Sequence, residues 1–243
     1  MCIVVIKPMG SKFPEPDIIK NCADNNSHGF SMAWNITTKK GEKKLMNFQS
    51  INEEEFLKAY DNISQNLDPK TTGMILHCRI KTTGSVSKQN CHCWKNEEYA
   101  FAHNGILHIT SRDDMTDSET FFRDLFTPAY KYGGWVAAER VIKAVIESSK
   151  FAFIDKEGDT SHHYGDFSSY KDCLFSNESY KTTYKKYGNY GNKSVVPSWK
   201  DYDEDYPNYT SSVWKNHTTE EWLKIFKKDA VVVSAGIDCS DCD

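Results

Sequence analysis

Stretches patterned for β-strands occur in this chain in runs of two or three, and the helical stretches fall between the runs, not between successive single strands. The first strand runs from Cys2 through the β-branched Ile3-Val4-Val5 to about Ile6 and is closed by Pro8-Met9-Gly10. Gly29 to Ile36 alternates as a half-buried strand, and Lys39-Lys40-Gly41-Glu42 turns it into a second at Leu45 to Ile51. Asn52, with Glu55 three residues on, caps a helix whose Phe56, Leu57, Tyr60 and Ile63 share one face. Strands follow at Met74 to Ile80 and Tyr99 to Ala102, then helices from Asp117 and after Gly133-Gly134, then strands at Lys150 to Asp155 and Asp172 to Phe175. Such an order lacks the regular βαβ alternation of a doubly wound sheet. It predicts an α+β fold of mainly antiparallel sheets packed on helices.

Residues 11 to 28, with Pro14, Pro16 and Asn25-Asn26-Ser27, read as a loop. From Tyr180 to about residue 217, tyrosines and lysines mix with Asn, Gly and Ser before Asp201-Tyr202-Asp203-Glu204-Asp205 reverses the charge. Interleaved Lys and Tyr could stack on the bases of a single-stranded nucleic acid. A polar excursion wrapping the domain is the plainer reading. Thr218-Thr219-Glu220-Glu221 caps a short helix carrying Trp222, Leu223, Ile225 and Phe226, and Ala230 to Ser234 reads as a last strand. Residues 1–243 are therefore expected to form one domain, with an excursion at about 180–217 and an acidic, Cys-containing tail at 238–243.

At 243 residues the chain has room for a large core, although a mean hydropathy of -0.64 shows that a polar portion dilutes it. A net charge of -4 gives no general pull toward nucleic acid or anionic lipid. No run approaches the ~20 apolar residues that span a bilayer. The start of the chain also lacks the pattern of an export signal, so a cytoplasmic location with reduced cysteines is expected.

Position two carries the first chemical signal. Removal of Met1 would leave a thiol and a free α-amine on the same residue, Cys2. An α-amine titrates at about 7.7 and can accept the thiol proton with no separate histidine base. Three further segments have exacting compositions and follow in order: His77-Cys78-Arg79-Ile80-Lys81-Thr82-Thr83-Gly84, His103-Asn104-Gly105, and Thr116-Asp117-Ser118-Glu119.

As an ordered set these segments resemble the glutaminase domain of class II glutamine amidotransferases, which are N-terminal nucleophile hydrolases. The family's His-[Ser/Thr]-Arg-x-x-Thr-x-Gly element is matched by His77 to Gly84 apart from Cys78. Its Asn-x-His element is similar to Asn90-Cys91-His92, its His-Asn-Gly to His103-Asn104-Gly105, and its Asp-Ser/Thr-Glu to Asp117-Ser118-Glu119. The likeness covers roughly residues 2 to 125, and Phe175-Ser176-Asn177 resembles a later family segment. It implies a four-layer αββα sandwich and a glutamine amidohydrolase that releases ammonia through a γ-glutamyl thioester on Cys2. It implies no cofactor and no metal, and glutamine as the small-molecule substrate.

In that reading Asn104 and the Gly105 N–H stabilise the oxyanion, Arg79 and Thr82 hold the α-carboxylate, Asp117 holds the ammonium, and His103 lines the substrate site. Each residue has a plainer reading on its own. Arg79 at a strand end could form a surface ion pair, Asp117 could cap its helix, Asn104-Gly105 is a common hairpin turn, and His77 and His103 could be buried hydrogen-bonding residues. Cys91-His92-Cys93 beside His77 and Cys78 suggests zinc, but the Cys-x-Cys spacing is unlike that of structural sites. Cys239 and Cys242 supply only two ligands. A separate ammonia-accepting enzyme is expected as a partner. Lys81 and Cys78 depart from the pattern, which keeps open a different γ-glutamyl amide as substrate, or a catalytically idle binding module.

Overall fold

The structure, a computed structural model, describes residues 2–81, 84–111 and 115–181. Two antiparallel sheets stack face to face. The larger has six strands: β1 (Ile3–Lys7), β2 (Phe30–Thr37), β3 (Lys43–Ser50), β4 (Met74–Cys78), β9 (Ser168–Tyr170) and β10 (Cys173–Phe175) lie in the order β3-β2-β4-β1-β10-β9. The smaller has β5 (Trp94–Lys95), β6 (Tyr99–Asn104), β7 (Lys150–Asp155) and β8 (His163–Tyr164), in chain order.

Strand alternation divides the core into three layers, because successive side chains point to opposite faces. Ile3 and Val5 of β1, Met32 and Trp34 of β2, and Met74 and Leu76 of β4 pack outward against α1 (Pro16–Asn25) and α2 (Glu53–Asn66). Their neighbours Val4, Ile6, Ala33 and Ile75 face the second sheet and meet Ala100, Ala102, Ala152 and Ile154. On the far side Phe101, Phe151 and Phe153 pack against Phe121, Phe122, Ala138 and Ile142. Small residues dominate the second sheet's inner face, so the two sheets approach closely. Helices, two sheets and helices therefore stack as the four-layer αββα sandwich that the resemblance implies.

The apolar pattern located β1, β2, β3, α2, β4, β6 and β7 to within a few residues. The loop expected over 11 to 28 is instead interrupted by α1. Pro16 stands at its first turn, where the missing N–H has no intrahelical partner to lose, and Ile19, Cys22 and Ala23 form its buried face. Asn52 caps α2 as expected, its side chain accepting a hydrogen bond from the Glu55 N–H.

The second helical region is interrupted at its glycines, as the sequence suggests. α3 (Asp117–Thr120) runs through a wider π-helical turn at Phe121–Phe126 into α4 (Thr127–Val145), with Gly134 at φ 59° taking up a kink. Tyr180, placed by its sequence at the start of the excursion, is buried and packs on Phe175 and Tyr170. The excursion beyond it, the helix at 218–226, the strand at 230–234 and the Cys239/Cys242 tail lie outside the described residues.

Candidate active site

The register of three strands gathers the chemistry at one end of the sandwich. In the β1/β4 pairing Ile3 lies opposite Cys78, so the next residues out, Cys2 and Arg79, stand opposite each other. By alternation Cys2 shares its face with Val4 and Ile6, and Arg79 shares its face with Ile75 and His77. Both residues therefore face the second sheet. On β6, Ala100 and Ala102 face inward from the opposite side, and Asn104 follows them.

Cys2 is anchored on the backbone of β4. Its Sγ lies 3.4 Å from both the N–H and the C=O of Ile80, accepting from one and donating to the other. Burial pushes the thiol up from its ordinary value, while the Ile80 backbone bond and the Arg79 charge pull it back. The Arg79 guanidinium is itself largely buried, which lowers its pKa, and Cys91, Cys2 and Asp117 oppose that shift. Its Nη1 donates to the Ser85 carbonyl at 2.8 Å. The Asn90 carboxamide donates to the same carbonyl at 3.0 Å, so the loop after β4 folds over the arginine.

Asn104 is buried and its Nδ2 donates to Ser176 Oγ at 2.9 Å. That bond leaves the carboxamide one further N–H. Gly105 follows at φ 151°, and a Cβ there would stand 2.2 Å from Ser149 Oγ and 2.7 Å from Ser149 Cβ. Only glycine fits that position. Asp117 Oδ2 accepts the Leu107 N–H at 2.7 Å and so ties the Gly105 turn to the start of α3. The N-cap of α3 is Thr116, whose hydroxyl accepts the Glu119 N–H. Asp117 is thus not the cap that its position suggested, and its carboxylate braces the turn.

His103 lies behind the Gly105 turn, its Nε2 2.9 Å from where a Gly105 Cβ would stand. It points to the helix side of the second sheet, where its Nδ1 meets Ser118 Oγ at 2.7 Å and its ring packs edge-on against Phe151. Burial lowers its pKa to about 4. His77, on the face of Arg79, stacks on His92 with 3.9 Å between ring centroids, and His92 is parallel to His103 at 6.1 Å. The His103 N–H donates to His92 Nδ1. Thr82 and Met1 lie outside the described residues. Among the described residues, no group of three or more His, Cys, Asp or Glu side chains is placed to hold a metal.

Two residues outside the expected set belong to this arrangement. Ser176 joins Asn104 to β1, and Asn177 Nδ2 donates to the Cys2 carbonyl at 2.6 Å. The signal for them was the Phe175-Ser176-Asn177 segment, which gave no role to either side chain.

Residues 19–158 match the family model of the class-II glutamine amidotransferases, and this span includes Arg79, Asn104, Gly105 and Asp117. The chain belongs to the class-II glutamine amidotransferases. Cys2 precedes the matched span and joins it through the β1/β4 ladder. No curated protein matches the chain. Among solved structures it is similar to the glutamine phosphoribosylpyrophosphate amidotransferase of B. subtilis, at 15% identity and a TM-score of 0.41 over 64% of this chain and 35% of that one. A glutamine aminotransferase class-II domain protein from Silicibacter pomeroyi is similar at 15% identity and a TM-score of 0.41, over 72% of this chain and 88% of that one. The chain thus spans about a third of the length of the B. subtilis enzyme. Among the described residues of this class-II amidotransferase, no helix is long and apolar enough to cross a membrane.

Proposed function

We propose that this class-II amidotransferase is a cysteine amidohydrolase that releases ammonia from glutamine through a thioester on Cys2, once Met1 has been removed. The observation that carries the proposal is the meeting of Cys2 with Arg79 across β1 and β4, while Asn104 reaches the same face from the second sheet.

The exposed α-amine of Cys2 takes the thiol proton, and the thiolate attacks the side-chain amide carbon of glutamine. Arg79 holds the α-carboxylate with a two-pronged, charge-assisted clamp, Thr82 adds a hydroxyl, and Asp117 receives the ammonium. The developing oxyanion takes hydrogen bonds from the second N–H of Asn104 and from the Gly105 backbone. Each such donor contributes roughly 3 kcal/mol when it is fixed in a dry site. Collapse of the intermediate expels ammonia, which carries away the proton held by the α-amine. Water then cleaves the γ-glutamyl thioester, restoring the thiol and releasing glutamate.

Burial of the Cys2 thiol works against thiolate formation, and the nearby Arg79 charge works for it. The α-amine is accordingly the decisive partner. The buried histidines already sit below the range in which they could serve as bases at neutral pH. His103 supports the Gly105 turn from behind and so lines the substrate site through that turn. A separate enzyme receives the ammonia.

Ammonia release from glutamine, measured beside a panel of other γ-glutamyl amides, tests the proposal. Glutamine should be the preferred substrate, and Cys2→Ala should abolish release. Full activity in Cys2→Ala would refute the mechanism, and preference for another amide would move the substrate assignment while keeping the chemistry.

A further inference from the structure

The last turn of the β1/β10 ladder is irregular. The Ser176 N–H donates to the Val4 carbonyl at 2.9 Å, as an antiparallel pair requires. The return bond does not go to the Ser176 carbonyl, which accepts instead from Lys150 Nζ. The Val4 N–H is met by the Ser176 side-chain oxygen at 2.8 Å. That oxygen also accepts from Asn104 Nδ2 at 2.9 Å, so both of its lone pairs are used. Ser176 is 1% exposed, and the whole arrangement lies two residues from Cys2. One residue further on, the Asn177 carboxamide holds the Cys2 carbonyl.

We infer that Ser176 is a positioning residue of the reaction: its hydroxyl fixes the Asn104 carboxamide against the strand that carries Cys2. The two partners belong to different sheets, and the pairing within either sheet does not set the distance between them. A hydrogen bond from Asn104 to an oxygen already bound to β1 sets both that distance and the direction of the remaining N–H. Without the hydroxyl, Asn104 would keep its place on β6 but could rotate about its side-chain bonds, and the donor would no longer be pre-aimed. Asn177 does the corresponding work on the backbone of Cys2. The inference rests on the proposed mechanism, in which Asn104 serves the oxyanion.

The test compares Ser176→Ala, Ser176→Thr, Asn104→Ala and the Ser176→Ala/Asn104→Ala pair in glutamine hydrolysis, with alkylation of Cys2 by iodoacetamide as a control. Ser176→Ala should lower kcat about 10- to 100-fold and leave KM within about threefold, because Asn104 acts on the transition state and not on bound glutamine. Ser176→Thr should recover most of the loss. The double variant should be close to Asn104→Ala alone, since the hydroxyl serves the oxyanion only through that residue. Cys2 should be alkylated at the wild-type rate throughout. If Ser176→Ala does not fold, Ser176→Cys, whose thiol is a weak acceptor in the same space, takes its place with the same expectations. Additive losses in the double variant, or a loss confined to KM, would overturn the inference. A wild-type enzyme that neither hydrolyses glutamine nor reacts at Cys2 would overturn the underlying mechanism, whereas an active wild type with an unaffected Ser176→Ala would overturn the positioning role alone.

Discussion

The imidazoles of His77 and His92 lie face to face, 3.9 Å between centroids and 3° from parallel, although they come from β4 and from the segment leading into β5. His103 extends the stack. All three are buried, and among the described residues His77 has no hydrogen-bond partner at either ring nitrogen. Two stacked imidazolium rings would repel each other in a medium that cannot screen them, so the stack is a neutral one.

Acid should therefore unfold this protein earlier than its carboxylates alone would require. Burial lowers the folded pKa of all three histidines, that of His103 to about 4. Between those values and the unfolded value of about 6.5 the unfolded chain binds more protons, so stability is full above about 6.5 and is lost as the pH falls. Each histidine that stays neutral in the folded protein takes up its proton only on unfolding, so the three act in the same direction and the loss grows as the pH falls below about 6.5. Thermal denaturation at pH 7.5 and 5.5 should show Tm falling by several degrees. His77→Phe, which keeps a flat ring on His92 and removes two orphaned nitrogens, should reduce that fall by about a third. An unchanged pH slope in the variant would show that His77 does not titrate with unfolding.

Arg79 should separate charge from shape. Arg79→Lys keeps a cation near Cys2 but cannot form the planar fork, so kcat/KM for glutamine should drop about 100-fold, mostly through KM. Alkylation of Cys2 by the neutral reagent iodoacetamide should stay close to wild type. Arg79→Gln should slow alkylation at a fixed pH as well, because the guanidinium is one of the groups that pull the thiol pKa down. Wild-type KM in Arg79→Lys would mean that the arginine does not hold the carboxylate.

Asp117→Asn keeps an oxygen able to accept the Leu107 N–H and removes the charge. The expected outcome is a KM for glutamine raised at least tenfold with Tm within about 2 °C of wild type, as for a change that preserves the local bonds. A large fall in Tm with unchanged KM would assign Asp117 to bracing the turn alone.

The sheets were legible because β1, β4 and β6 are short, largely apolar runs buried at every position, as strands covered on both faces require. α1 was hidden by Pro14 and Pro16, which signal a break within a helix but serve as a start at its first turn, and its apolar face is only Ile19, Cys22 and Ala23. β8 and β9 are too short to show a period. In the site, residue types pointed to Arg79, Asn104 and Asp117, yet nothing local could show that Ser176 reaches Asn104 across 72 positions of sequence. For His103 the order of residues gave its place in the motif but not which face of β6 it takes. That depends on the strand's register against β7.

Gly105→Ala offers a severe steric test of the turn. The added methyl would strike Ser149 at a φ that alanine rarely adopts. Activity should fall at least 100-fold, and Tm should drop by several degrees. Ser149→Gly in the same chain should recover part of the stability and little of the activity, since the backbone would still be strained. A Gly105→Ala enzyme with wild-type turnover would remove the turn from the reaction.

The most direct measurement is the mass of the intact protein and of its peptides after treatment with a diazoketone analogue of glutamine. The account predicts a chain lacking Met1, a single stoichiometric adduct on Cys2, and protection by excess glutamine. A chain that retains Met1 and carries no adduct, or carries it on another residue, would contradict it.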